Sequence, residues 1–133
     1  LGYCLHKIVI LYKAKSLEIF SKYKILGHHF SVLSVINTTE SVNQIKICDE
    51  LGIDKASMVK IVDHLEKHKY LERIPSKEDR RVKNLVVTAN GKKMLDAVNK
   101  ERKTYESDFL SALSNDEAEQ FKNTLLKLLD SNS

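Results

Sequence analysis

The sequence predicts a mainly α-helical fold with one small β-hairpin, in the order of a winged helix-turn-helix flanked by further helices. Three observations predict it. Apolar residues recur at helical spacing along most of the chain. A short helix pattern ends at Gly52, and another opens two residues later at Asp54. That second helix gives way to two β-prone runs, residues 71–74 and 82–88, joined by the charged segment PSKEDRR. Helix, strand, charged tip and strand together make the plan of a wing.

Residues 1–23 read as the first helix. Leu5, Ile8, Val9, Leu11, Tyr12, Leu17 and Phe20 form a stripe wider than one buried face requires, so a partner chain is expected to cover part of it. Gly27 breaks this helix, and residues 28–37 supply Phe30, Leu33 and Ile36 for a second one. Residues 38–41 form a polar connection. A short helix over 43–50 follows, with Val42, Ile47, Cys48 and Leu51 packing on the next helix. Gly52, lacking a Cβ, suits a left-handed cap.

Asp54 can accept a hydrogen bond from the free N–H groups of a first helical turn, and its charge suits the positive end of the helix dipole. The next helix therefore starts near Lys55. Met58, Ile61, Val62 and Leu65 fall on one stripe facing a core, while Ser57, Lys60, His64 and Lys67 occupy the other side. After the hairpin, Thr88 can cap a helix over 90–113, with Met94, Leu95, Val98, Tyr105, Phe109, Leu110 and Leu113 as its apolar positions. Ser114 and Glu117 make a capping box for a last helix carrying Ala118, Phe121, Leu125 and Leu128. The tail DSNS is expected to fray.

A chain of 133 residues suits one domain, or a compact unit completed by a partner. Twenty-two Lys and Arg against eighteen Asp and Glu leave a net charge of +4, which permits nucleic-acid binding without requiring it. Two cysteines far apart make no disulfide framework, so a reducing compartment, the cytoplasm, is expected. No apolar run reaches membrane-spanning length and no signal peptide is visible. The sequence begins at Leu1 without a methionine, so its true N-terminus is left open. No Gly-rich phosphate loop, nucleophile elbow or catalytic His/Cys set is present, so an enzyme is not expected, nor is a cofactor.

The stretch LGIDKASMVKIVDHLEKHKYLERIPSKEDRRVKNLVVTANGKKML resembles the core of the MarR family, the multiple-antibiotic-resistance type of bacterial transcriptional regulators. Asp79, Arg80 and Arg81 stand at the family's D-x-R, and Val87, Thr88 and Gly91 match its L-T-x-x-G. The resemblance covers roughly residues 30 to 95. It implies residues 27–88 as the DNA-binding winged helix-turn-helix, with 1–26 and 89–133 as dimerisation helices of one compact unit. There are three departures. Leu26 and His29 stand where relatives usually have Thr and Gln, which leaves the cap of the second helix unassigned. Lys69 replaces the usual glycine, at a cost of roughly 1 kcal/mol if its φ is positive. Cys48 takes a spot where relatives prefer Ala or Gly.

The resemblance also implies roles. Lys55, Ala56, Ser57, Lys60 and His64 would face the major groove: lysines on phosphate or guanine, Ser57 on either, Ala56 near a thymine methyl. By the family's pattern Arg81 would enter the minor groove with Asp79 holding its guanidinium, while Lys77, Arg80 and Lys83 would add phosphate contacts. The expected partners are double-stranded DNA, read as a pseudo-palindrome, and a second copy of the chain. A small, often aromatic or phenolic effector that releases a repressor from DNA is a further candidate partner, with no residues assigned to it. The rival reading is a protein-interaction module without sequence-specific DNA binding, against which the family placement of Asp79 and Arg81 weighs. Cys4 is expected to be a buried core residue and Cys48 a packing one. His64 and His68 have the i, i+4 spacing of metal ligands, and His28 and His29 with His6 could meet near the hinge, but no metal site is expected at either place.

Overall fold

The computed structural model describes residues 1–39 and 42–132. Among the described residues six helices and three short strands follow one another in the order α1 (Gly2–Ser21), α2 (Gly27–Thr38), β1 (Val42–Asn43), α3 (Gln44–Leu51), α4 (Lys55–Lys67), β2 (Leu71–Pro75), β3 (Lys83–Val87), α5 (Ala89–Phe109) and α6 (Asn115–Asn132). The expected mainly helical winged plan is therefore present. The sheet is antiparallel in the order β1-β3-β2, with Leu71 opposite Val87 and Pro75 opposite Lys83 in the hairpin. β1 was not foreseen, because two residues carry no readable alternation. It pairs Val42 with Leu85 and Asn43 with Asn84, tying the start of α3 to the wing. Glu40 and Ser41, the end of the expected polar connection, lie outside the described residues.

The core gathers around α2, α3 and α4. Val32, Leu33, Ile47, Met58, Val62 and Leu65 are fully buried there, joined by Leu71 of β2 and Val98 of α5. The predicted stripe Met58, Ile61, Val62 and Leu65 is thus the buried face of α4. Cys48 packs in this core as expected. Cys4 does not. It is exposed, because residues 1–11 of α1 project beyond the core of one chain and every one of them is exposed.

Three helices end in the same left-handed turn. After α3 it falls on Gly52 (φ 62°), after α1 on Lys24 (φ 56°) and after α4 on Lys69 (φ 60°). At the end of α4, Lys69 N–H donates to Glu66 O and Tyr70 N–H to Leu65 O, each at 2.9 Å. These two bonds close a Schellman motif, which satisfies the last carbonyls of α4 and turns the chain into β2. Thr88 then caps α5: its Oγ accepts from Gly91 N–H at 2.9 Å and donates to Lys69 O at 2.7 Å. Gly91 is required there for space, since a Cβ would stand 2.1 Å from the Tyr70 carbonyl oxygen.

Helix α5 stops at Phe109, four residues short of the expected end, in a tight turn where Leu110 N–H donates to Glu106 O and Leu113 N–H to Leu110 O. The capping box then holds: Ser114 N–H donates to Glu117 Oε2 at 2.8 Å and Glu117 N–H to Ser114 Oγ at 3.3 Å. Helix α6 continues to Asn132 rather than fraying at Asp130. Its last turn is held by Ser131 Oγ and Asn132 Nδ2, which both donate to the Leu128 carbonyl.

The positive φ at Lys69 gives a direct test. Lys69→Gly removes the clash of a Cβ in the left-handed region and should stabilise the fold by up to about 1 kcal/mol. A urea midpoint that stays put or falls would contradict this.

Candidate nucleic-acid interface

Helix α4 is fixed before it presents anything. Asp54 caps it, accepting from Ser57 N–H at 2.9 Å. Hydrogen bonding from Ser57, through its side chain first and then its backbone N–H, holds the Asp54 carboxyl below its usual range. Because one stripe is locked in the core, the opposite face must project, and Lys55, Ala56, Ser57 and Lys60 are all exposed on it. These four stand where the sequence placed them. Val59, which the sequence reading did not single out, is also exposed on this helix.

His64 differs. It is half-buried, and its Nε2 lies 2.7 Å from the carbonyl oxygen of Lys24, so the ring is turned toward the α1–α2 elbow rather than left free on the outward face. One turn separates it from Lys60, and that turn brings the side chain over the start of α2, where His29 stacks on it at 4.1 Å. Spacing showed the face but not the neighbour.

The wing tip is organised by Asp79. Its Oδ1 accepts from the backbone N–H of Arg81 at 3.0 Å, an Asx turn that reverses the chain. The same carboxylate receives Arg81 Nε at 3.2 Å and a terminal nitrogen of its guanidinium at 3.3 Å. This fork orients the guanidinium without covering it, since the Arg81 side chain remains 91% exposed. The Arg81 guanidinium lowers the Asp79 carboxyl below its ordinary pKa. Lys77, Arg80 and Lys83 are likewise exposed around the tip. Helix and hairpin together bring nine of the ten sequence-predicted residues onto exposed or Arg-organised surface, with His64 the exception.

Arg73 on β2 was missed. It reaches back to α4, pairing with Asp63 at 2.5 Å and also with Glu66. Burial works against its charge, but the two carboxylates outweigh it and raise its pKa. The pair therefore sets the angle between α4 and the wing. Asp63 and Glu66 at i, i+3 were the available signal. Their strand partner could be known only once the hairpin was docked.

The histidines weighed as ligands do not converge on a point. His28, His29, His64 and His68 lie in a ladder, and His6 is elsewhere, on the exposed start of α1. Among the described residues no group of three or more His, Cys, Asp or Glu could hold a metal ion. Nor is any described helix long and apolar enough to cross a membrane.

The model of the MarR family matches residues 28–83, which run from the start of α2 through the wing tip. The regulator PapX of Escherichia coli is 31% identical over 114 residues, spanning 84% of this chain and 70% of PapX. The chain belongs to the MarR family. PecS of Dickeya dadantii, also an HTH-type transcriptional regulator by name, is 29% identical over 103 residues, covering 75% of this MarR-family chain and 62% of PecS. Among solved structures, a MepR mutant of Staphylococcus aureus bound to an oligodeoxyribonucleotide superposes with a TM-score of 0.73 at 25% identity, over 99% of this chain and 97% of MepR.

Replacing Arg73 with glutamine should leave two neighbouring carboxylates on α4 without their cation and lower stability by about 1 kcal/mol. An Asp63→Asn, Glu66→Gln, Arg73→Gln triple variant should recover much of that loss. If the single and triple variants unfold at the same denaturant concentration, the clamp carries no weight.

Proposed function

We propose that this chain is a homodimeric regulator that reads a pseudo-palindromic DNA site, with α4 in successive major grooves and the β2–β3 tip in the adjoining minor groove. Family membership makes it a DNA-binding transcription regulator rather than an enzyme. The dimer, the groove assignment and the named contacts are our reading. The observation that carries it is the wing tip, where Arg81 is exposed and aimed by Asp79 beside a capped helix that projects Lys55, Ser57 and Lys60. A planar cation on a thin hairpin suits the negative potential of a narrow minor groove.

The case for two copies is hydrophobic. Leu5, Ile8, Val9 and Leu11 of α1 and Leu126 and Leu128 of α6 are each at least 40% exposed, a surface large enough to demand cover. An apolar groove of about 410 Å³ lies between α1, α5 and α6, lined in part by Val9, Phe109, Phe121 and Leu125. We assign residues 1–26 and 89–133 to the dimer and 27–88 to DNA. On the family resemblance we read the protein further as a cytoplasmic repressor released by a small ligand.

Selection of bound fragments from a random DNA library should return a palindrome with half-sites about one helical turn apart. With that fragment, Arg81→Ala should weaken binding at least ten-fold while changing stability by less than about 0.5 kcal/mol, because an exposed tip contributes little to folding. Lys55→Ala and Lys60→Ala should each reduce the salt slope of binding by up to about one unit if each meets a phosphate. Unchanged affinity of Arg81→Ala in a gel-shift titration rejects the wing assignment. Sedimentation at micromolar concentration should give a dimer, and a monomer there rejects the second copy.

A further inference from the structure

Where α2 begins, four imidazoles are stacked between two helices. Ring centroids of His28 and His29 are 4.3 Å apart, His29 and His64 4.1 Å, and His64 and His68 4.3 Å, the middle pair being parallel within 8°. The bonding around the ladder fixes its protons. Leu26 N–H donates to His29 Nδ1 at 2.9 Å, so that nitrogen must be unprotonated. A carbonyl can only accept, so His64 Nε2–H donates to Lys24 O at 2.7 Å and His68 Nδ1–H donates to His64 O at 2.9 Å.

His29 thereby ties down the N-cap residue of α2, Leu26. It does what a glutamine or glutamate three residues into a helix does in a capping box, reaching back to the N–H of the residue before the helix. A glutamine performs that task at any pH. An imidazole performs it only while neutral.

We propose that this histidine ladder is an acid-sensitive latch joining the recognition helix α4 to the start of α2 and to the α1–α2 elbow, and that proton uptake by His29 opens it and lowers DNA affinity. The inference rests on the DNA-binding reading for its consequence, but the latch itself can be judged without DNA. Protonated His29 would turn an N–H toward the Leu26 N–H and place a cation on the face of His64. Surrounding groups do not relieve that charge. His28 faces it from its own helix, and His64 and His68 face it from α4, with Tyr70 stacked beyond His68. Lys24 lies in the elbow. Lys60 and Asp54 line the adjoining groove, about 600 Å³ in volume, where the Asp54 carboxylate is engaged by Ser57 N–H.

The sign follows from the burial of His29, which is 7% exposed. Burial first, and then the neighbouring His64, His28 and His68, push its pKa down from 6.5 to about 4. The latched form refuses the proton that the open form accepts. The tie is therefore at full strength above pH 6.5 and is lost as the pH falls toward 4. For an open form with an ordinary histidine, the open population rises about ten-fold between pH 7.5 and 5.5.

The test uses the full chain and His29→Gln, a variant that keeps the cap and removes the proton. Amide hydrogen exchange, corrected for the intrinsic effect of pH, should show protection at Leu26 and Phe30 falling about ten-fold from pH 7.5 to 5.5 in the wild type. It should hold constant in His29→Gln. Nitrogen-15 spectra of the wild-type imidazoles should show His29 protonated at Nε2 alone down to pH 5. On the DNA fragment recovered by selection, the affinity ratio of wild type to His29→Gln should fall several-fold over the same pH interval. Equal protection at both pH values in the wild type, or a His29 that titrates near 6.5, overturns the latch. A selection that recovers no fragment overturns the DNA reading instead, leaving the exchange result to judge the latch.

Discussion

Burial of one stripe of α4 is the constraint on which the remainder depends. Met58, Val62 and Leu65 have no solvent exposure, and Ile61 has 6%. Each such side chain contributes on the order of 1.5–3 kcal/mol on leaving water, so α4 cannot roll about its axis without giving up several times that. A helix held in this way has no choice about which residues it shows. The outward set from Lys55 to Lys60 is thus a consequence of packing, and its polar chemistry is free to vary without cost to the fold.

The two ends of α4 show how a small protein fixes a reading surface. At the start, Asp54 satisfies a backbone donor and leaves its charge beside the positive end of the dipole. At the end, the turn through Lys69 delivers Tyr70, whose carbonyl accepts from Thr88 N–H at 3.1 Å and sits against Gly91. The tyrosine hydroxyl in turn donates to the Tyr23 carbonyl at 3.1 Å. One residue therefore ties the recognition helix to the hairpin, to α5 and to the elbow after α1. Arg73 closes the remaining freedom, the angle between helix and wing.

Much of this was legible in the chain, and the reason differs from element to element. The stripe on α4, the cap at Asp54, the glycine turn at Gly52 and the box at Ser114 and Glu117 are local, with partners within four residues, and spacing reveals them. The Asp79–Arg81 fork is local too, but it was the family's D-x-R, not spacing, that pointed to it. What stayed hidden involves partners far apart in sequence: Arg73 with Asp63 and Glu66, His64 with Lys24, and β1 with β3. Cys4 failed for another reason. An apolar helix face looks the same in sequence whether its cover comes from its own chain or from elsewhere, and α1 extends past the core that one chain provides.

The elbow after α1 is bonded both to α5 and to the end of α4. Tyr23 and Lys24 receive bonds from Tyr70 and His64 through their carbonyls, while the Tyr23 hydroxyl donates to Glu101 of α5 at 2.9 Å and Lys22 pairs with the same carboxylate. Helices α1 and α5 are also clamped by Tyr12 against Tyr105 and Phe109. A shift of α1 against α5 can therefore reach α4 through this elbow, and a shift of α4 can pass back the same way. Coupling between two lobes needs a mechanical joint with more than one state. The elbow supplies the joint, and under the proposed latch His29, neutral while it holds the Leu26 N–H and free to take a proton once released, supplies the two states. A serine or glutamine set could hold the same geometry, but it would hold it alike at every pH.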